Sequence, residues 1–135
     1  MLFRSEHAIG RAGKAKLAIN LIVGLNRAAL AEGFLFAEKN GLDLPQMLEL
    51  FKNSSAYSHV MDIKGQKMIA NDFTTQAKLS QHRKDVGLIL ELCQKNRLKL
   101  PLSELHYSLL TEAEANGDGE IDNSAIITAI RRKSQ

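Results

Sequence analysis

Lys16 and Asn20 are the residues of this chain whose types and spacing best fit proton chemistry on a small polar molecule. They lie four residues apart in the apolar stretch AKLAINLIVGL, so a helix over this stretch places both side chains on one face. A lysine on the buried side of a helix has a lowered pKa and can then donate and accept protons. The alternative is structural: Lys16 extends its ammonium to solvent, and Asn20 satisfies a backbone group.

Apolar residues recur mostly at helical spacing, which predicts an all-α fold of about six helices around a long central helix. The first three predicted helices are residues 14–40, a helix capped by Asp43 with Pro45 in its first turn, and residues 57–70. The fourth is capped by Ser80, the fifth begins at Pro101 and Ser103 and ends near Gly117, and the sixth is capped by Asp122 or Asn123. The first half of the long helix is apolar nearly all round, so we expect it to be buried at the centre of the domain. Residues 2–6 are consistent with a short extended piece, and residues 71–80 form a loop long enough to indicate a function.

Composition limits the classes of protein to which the chain can belong. With 135 residues, 44% hydrophobic and 24% charged, it fits one globular domain. The net charge of +3 is dispersed without a run of five like charges, which argues against a nucleic-acid partner. The longest apolar run, residues 17–25, is about half a membrane span, and the N-terminus lacks the apolar region of a signal peptide. The single cysteine, Cys93, excludes an internal disulfide and is predicted to be an inert buried thiol. We therefore expect a soluble cytoplasmic protein.

Two stretches imitate ligand-binding motifs without completing them. AIGRAGKA, residues 8–15, approaches a phosphate-binding P-loop, but Ala8 replaces the first glycine and Ala15 replaces the Ser or Thr. EANGDGEIDNSA, residues 114–125, approaches a calcium loop, but Ala125 occupies the place of the bidentate carboxylate. The four histidines share no metal-ligand spacing. The sequence therefore predicts neither a nucleoside triphosphate site nor a metal site.

Three blocks stand out in order along the chain: Gly10 with Lys16 and Asn20, Phe73 with the later QHRKDVGLIL, and NGDGEIDNSAIITAI. These blocks resemble the C-terminal helical domain of the β-hydroxyacid dehydrogenases, a family that includes 3-hydroxyisobutyrate dehydrogenase, tartronate semialdehyde reductase and glyoxylate/succinic semialdehyde reductase. The family pattern G-x-G-x-x-x-K-x-x-x-N is matched by Gly10, Lys16 and Asn20, while Ala12 replaces its second glycine. Phe73 followed by QHRKDVGLIL resembles a second block, and NGDGEIDNSAIITAI resembles the family's C-terminal block. The resemblance implies a fold like the C-terminal domain of 6-phosphogluconate dehydrogenase.

On the substrate side, the resemblance implies that Lys16 is the general acid/base for the substrate hydroxyl. Asn20 would hydrogen-bond the substrate beside it, and Gly10 and Ala12 would lie where the backbone approaches it. The substrate would be a small hydroxy acid or, in the reverse direction, an aldehyde acid. Because alanine has less backbone freedom than glycine, Ala12 weakens the expectation of tight substrate recognition.

On the cofactor side, the resemblance implies that Lys84 reaches the nicotinamide and substrate region and that Asp85 orients this end of the helix. Phe73 would contact the cofactor from its loop. From the residues alone, the simpler interpretation of Lys84 and Asp85 is a solvated pair at a helix start.

The resemblance also implies a division of the chain and a set of partners. Residues 1–13 would be an interdomain joint and residues 14–135 the helical domain. NAD or NADP would be bound mainly by an N-terminal Rossmann domain, whose G-x-G-x-x-G motif this sequence lacks. We therefore expect an inactive half-site that needs a Rossmann domain in cis or in trans, and a homodimer. The alternative is a non-catalytic dimerisation or scaffold module of the same fold. The joint presence of Lys16, Asn20 and Lys84 argues against this alternative.

Overall fold

The computed structural model describes residues 9–135 as a bundle of α-helices, and the predicted extended piece at residues 2–6 lies outside the described residues. The helices are α1 (Arg11–Lys39), α2 (Leu44–Lys52), α3 (Val60–Ala70), α4 (Leu79–Lys95), α5 (Pro101–Ala113) and α6 (Ile126–Lys133). A kinked segment (Glu114–Asp118) follows α5, with Gly117 at its kink at φ 95°, and a 3-10 turn (Asn123–Ala125) leads into α6. Residues 9–135 contain no strand, so the predicted all-α fold of six helices is confirmed.

The long helix α1 is the central element, since it packs against each of the other five helices. Leu30 and Phe34 on α1 are almost completely buried, and they meet apolar side chains from every other helix. The largest of these are Leu48, Met68, Leu79, Val86, Leu110, Ile126 and Ile127. Cys93 on α4 is buried as predicted, and this burial raises the pKa of its thiol.

The first half of α1 is not buried, and this corrects the sequence-based expectation. No residue from Arg11 to Val23 is buried, and Ile19 and Ile22 are 60% and 59% exposed. Burial begins at Gly24. A helix of 29 residues is about 43 Å long, whereas the 17 residues of α4 span only about 26 Å, so the start of α1 extends beyond the helices that pack on its second half. By length and apolar composition alone α1 passes as a membrane span, a test that central helices of soluble domains also pass.

Among the first three helices, only α2 has a side-chain cap. Gly10 precedes α1, which begins at Arg11, three residues earlier than predicted. Asp43 caps α2 as predicted, because its carboxylate accepts a hydrogen bond from the Gln46 backbone N–H at 3.0 Å. The third helix begins at Val60, later than predicted.

The starts of α4 and α5 have no side-chain cap. Ser80 is therefore not the cap of α4: it is buried inside the first turn, and its backbone N–H donates to the Gly119 carbonyl at 2.8 Å. Ser103 likewise lies inside α5, which begins at Pro101. Asp122 caps the 3-10 turn before α6, as predicted, by accepting from the Ser124 backbone N–H at 3.0 Å.

Candidate active site at the open end of α1

Asn20 on α1 and Asp85 on α4 bring the first two sequence blocks into contact. Nδ2 of Asn20 lies 3.5 Å from Oδ2 of Asp85, at the long limit of a hydrogen bond. The other carboxylate oxygen, Oδ1, accepts from Nε2 of Gln81 at 3.3 Å. Asn20 and Asp85 are half-buried, and an amide has two N–H donors and an oxygen acceptor. The pair therefore presents unused hydrogen-bonding capacity at the edge of the domain.

Lys16 lies one turn before Asn20 on the same face of α1. It is exposed, and within the described part of the chain its ammonium makes no hydrogen bond or ion pair. Eleven residues, about three helical turns, separate Lys16 from buried Arg27, so both side chains project from the same side of the helix. The Lys16 side chain thus projects from the core-facing side of α1, but it lies in the part of α1 that extends beyond the other described helices. Of the two interpretations of Lys16 given above, the domain by itself therefore shows the solvent-exposed ammonium and not the buried one.

Gly10 and Ala12 lie at the first turn of α1, both exposed. Gly10 has φ −84°, a backbone conformation open to any residue, and a Cβ added there would meet no atom within 4 Å. The fold of the described residues therefore does not require glycine at this position. A requirement for glycine here would come from a molecule or domain that approaches the helix start.

Lys84 is exposed on α4 next to Asp85. Its charge acts on Glu120: a hydrogen bond from Lys78, at 2.9 Å, and the charges of Lys78 and Lys84 lower the pKa of the Glu120 carboxyl. The structure thus places Lys84 on the same helix end as Asp85, near the turn that precedes α6.

Phe73 is half-buried in the loop before α4, where its side chain packs against the hydrophobic core. Its carbonyl accepts a hydrogen bond from the Asp122 backbone N–H at 3.0 Å. This packing accounts for an aromatic residue at position 73 without a ligand, and the contact with a cofactor stays a prediction.

The sequence analysis missed a buried ion pair behind this end of α4. Nζ of Lys64 on α3 lies 2.9 Å and 3.0 Å from the two carboxylate oxygens of Asp122. Burial would raise the pKa of Asp122, but hydrogen bonds from Ser124, Gln76 and Lys64 outweigh it and hold the pKa well below its usual value. A lysine between apolar residues in VMDIKGQKM was the available signal.

A second buried polar cluster lies under Gly24, where α1, α4 and α5 meet. The imidazole rings of His82 and His106 are 5.3 Å apart between centroids, and both residues are buried. Burial, with smaller contributions from the charge of Arg27 and from His106, lowers the pKa of His82 to about 3, and burial with the Arg27 charge lowers that of His106 to about 4. Burial also lowers the pKa of Arg27 to about 10, an effect that the Asp122 carboxylate partly offsets. No group of three His, Cys, Asp or Glu side chains within residues 9–135 is arranged to hold a metal ion.

Comparison with known proteins shows relatives along almost all of the chain. The chain is 32% identical over 127 residues to the probable 3-hydroxyisobutyrate dehydrogenase-like 1, mitochondrial, of Arabidopsis thaliana, covering 92% of this chain and 38% of that protein. It is 32% identical over 115 residues to 2-hydroxy-3-oxopropionate reductase of Escherichia coli, covering 85% of this chain and 39% of the reductase. The chain thus spans about two fifths of the length of these relatives.

The fold comparison agrees. The crystal structure of 3-hydroxyisobutyrate dehydrogenase from Salmonella typhimurium matches with a TM-score of 0.82 at 27% identity, over 86% of this chain and 41% of that chain. A family profile described as "NAD-binding of NADP-dependent 3-hydroxyisobutyrate dehydrogenase" matches residues 10–130. The chain therefore belongs to this family, the C-terminal helical part of the 3-hydroxyisobutyrate dehydrogenases.

Proposed function

We propose that this domain supplies the acid/base lysine and part of the substrate site of an NAD(P)-dependent 3-hydroxyacid dehydrogenase. The observation that carries the proposal is the approach of Asn20 to Asp85 within 3.5 Å, with Lys16 exposed one turn away. Residues 65 positions apart in the chain thereby form one open polar surface. Such a surface is the arrangement expected of a site that a second domain completes.

In the oxidation that we propose, Lys16 in its neutral form accepts the proton of the substrate hydroxyl and becomes an ammonium, while a hydride leaves the carbon that bears this hydroxyl. NAD(P)+, when bound, accepts that hydride. The Asn20 amide hydrogen-bonds the substrate oxygen, and Asp85 holds the amide in one orientation. A domain that covers this end of α1 removes water from Lys16, and desolvation favours the neutral amine that this step needs.

The residues present fit contact with one end of NAD(P) rather than with the whole cofactor. Asn20, Lys84 and Asp85 can meet the nicotinamide and the substrate, but the 135 residues contain no G-x-G-x-x-G motif for the pyrophosphate. We therefore propose that the reaction needs a Rossmann domain, in cis or in trans, and that the domain alone is inactive. The cytoplasm remains the predicted location.

A chimeric enzyme tests this proposal. We would fuse the Rossmann domain of the Escherichia coli reductase to this chain at Gly10, and follow reduced cofactor formed from 3-hydroxyisobutyrate, glycerate or 4-hydroxybutyrate with NAD+ or NADP+. The matched control joins the same Rossmann domain to its own helical domain through the same junction. Turnover by both proteins supports the proposal. An active control beside a folded but inactive chimera overturns it in favour of the scaffold alternative.

We also propose a second copy of the chain as a partner, because two apolar surfaces remain uncovered. Ile19 and Ile22, three residues apart, share one side of α1 and are 60% and 59% exposed. Ile22 is two residues from Asn20 and therefore lies on the other side of the helix from it. Leu102 and Leu105 on α5 are 68% and 60% exposed and border a groove that includes Leu25 of α1. Large contiguous apolar patches on a soluble protein mark contact surfaces.

Replacing Ile22 by lysine is expected to weaken self-association at least about tenfold, because a charge in an apolar interface loses its hydration. The measurement is sedimentation equilibrium over a range of protein concentrations. Ile63→Lys is the matched control, since Ile63 is an exposed isoleucine on α3. A monomeric native chain, or equal weakening by both substitutions, contradicts this assignment of the interface.

A further inference from the structure

We propose that the buried Asp122 carboxylate, paired with Lys64, is a positioning group that sets where α4 presents Asp85 to Asn20. This inference rests on the proposed function, because the contact that Asp122 would set belongs to the proposed site. Asp122 itself touches neither Asn20 nor Asp85 and acts through the start of α4.

The Asp122 side chain joins three segments that are distant in sequence. Oδ1 accepts hydrogen bonds from Lys64 Nζ at 2.9 Å and from the backbone N–H groups of Gln76 at 2.9 Å and Ala77 at 3.1 Å. Oδ2 accepts from Lys64 Nζ at 3.0 Å and from the N–H and Oγ of Ser124 at 3.0 Å and 2.5 Å. This carboxylate is completely buried, so solvent cannot replace a lost partner.

Backbone hydrogen bonds extend this junction along the loop before α4. The Asp122 N–H donates to the Phe73 carbonyl at 3.0 Å, and the Asn123 N–H donates to the Ala77 carbonyl at 2.8 Å. On the other side of the ion pair, Lys64 also donates to Oε1 of Gln76 at 3.0 Å. The loop is therefore held between α3 and the turn that precedes α6.

The residues directly before Asp122 cap α4. The first N–H groups of a helix lack partners within it, and here the N–H groups of Leu79 and Ser80 donate to the carbonyls of Ile121 and Gly119 at 2.9 Å and 2.8 Å. No side chain caps this helix, so these carbonyls fix its start. Asp122, next to Ile121, thereby sets the position of the first turn of α4.

Less than two helical turns connect Leu79 to Asp85, and a helix transmits displacement over that distance with little bending. The Asn20–Asp85 contact, at 3.5 Å, is already at the long limit for a hydrogen bond. A small shift of the start of α4 is therefore enough to break it. A buried ion pair by itself adds little net stability. The Lys64–Asp122 pair is therefore better explained as a group that positions α4 than as one that only stabilises the fold.

The test follows the side-chain amide of Asn20 by NMR in the isotope-labelled chain. Asp85→Ala provides the reference signal of Asn20 without its partner. Asp122→Asn removes the charge, and Ser124→Ala removes one hydrogen bond while leaving the ion pair. We expect both variants to move the Asn20 signal toward the reference, and the Leu79 and Ser80 amides to exchange about tenfold faster relative to core amides.

Leu48→Ala is the control, because Leu48 is a fully buried residue of α2, which packs on α1 and α3. It lowers stability but should leave the Asn20 signal in place. An unchanged Asn20 signal in Ser124→Ala and in folded Asp122→Asn overturns the proposal, as does an equal shift in Leu48→Ala. If Asp122→Asn does not fold, Ser124→Ala decides. None of these readouts needs turnover, so an inactive chimera would contradict the proposed function without deciding this inference.

Discussion

Replacing Lys16 by alanine is expected to lower the turnover of an active chimera about 100-fold or more, the usual loss when an acid/base group is removed. The stability of the domain should change by less than about 0.5 kcal/mol, because Lys16 is exposed and has no partner within the described residues. The combination of a large loss of rate and an unchanged fold is what separates a group used in chemistry from one used in folding.

Lys14→Ala is the matched control for this prediction. Lys14 is also an exposed lysine of α1, but two residues place it on the opposite side of the helix from Lys16. Steady-state rates with saturating cofactor and urea unfolding curves are measured for both variants. Turnover of Lys16→Ala close to that of the unsubstituted chimera refutes the role of Lys16, and an equal loss in Lys14→Ala assigns the effect to the charge of the helix start.

The sequence predicted the number and order of the helices because apolar spacing is a local property. It predicted the cap of α2 for the same reason, since Asp43 and Gln46 are three residues apart. The start of α4 was misplaced because backbone carbonyls some forty residues away cap it. No local pattern around Ser80 carries that information.

Burial of α1 was the largest error, and its cause is physical. The apolar composition of a helix indicates how much free energy its burial contributes, but it does not indicate which partner buries it. Ile19 and Ile22 have the same apolar character as the buried Leu30, but no other helix reaches them. In the site, Lys16 and Asn20 could be named from spacing and resemblance, whereas the Asn20–Asp85 and Lys64–Asp122 pairs join residues 65 and 58 positions apart.

Acid is expected to destabilise this domain between pH 6.5 and pH 5 through His82 and His106. Both are buried and neutral, with the pKa of His82 lowered to about 3 and that of His106 to about 4. In the unfolded chain both return to about 6.5, so the unfolded state binds more protons as the pH falls below that value. The stability that the neutral rings provide is therefore complete above pH 6.5 and is lost progressively below it.

At pH 5 the expected loss is about 2 kcal/mol for each ring, a large part of the 5–15 kcal/mol typical of a domain. The charge of Arg27 is, after burial, a cause of the lowered pKa of both rings, because it opposes a second buried cation. Asp122 does not contribute in this range, because a carboxyl with a lowered pKa loses its stabilising effect only as the pH falls below its ordinary value of 3.8.

Urea unfolding at pH 7 and pH 5 measures this loss directly. Replacing both rings in His82→Met and His106→Met should abolish most of the difference between the two pH values, whatever the substitutions do to stability at pH 7. His59→Gln is the control at a surface histidine, whose side chain is 76% exposed, and should change the difference far less than the double substitution does. If the doubly substituted chain keeps the full dependence on pH, the buried rings are not its source, and the cluster under Gly24 has no part in the acid sensitivity of the fold.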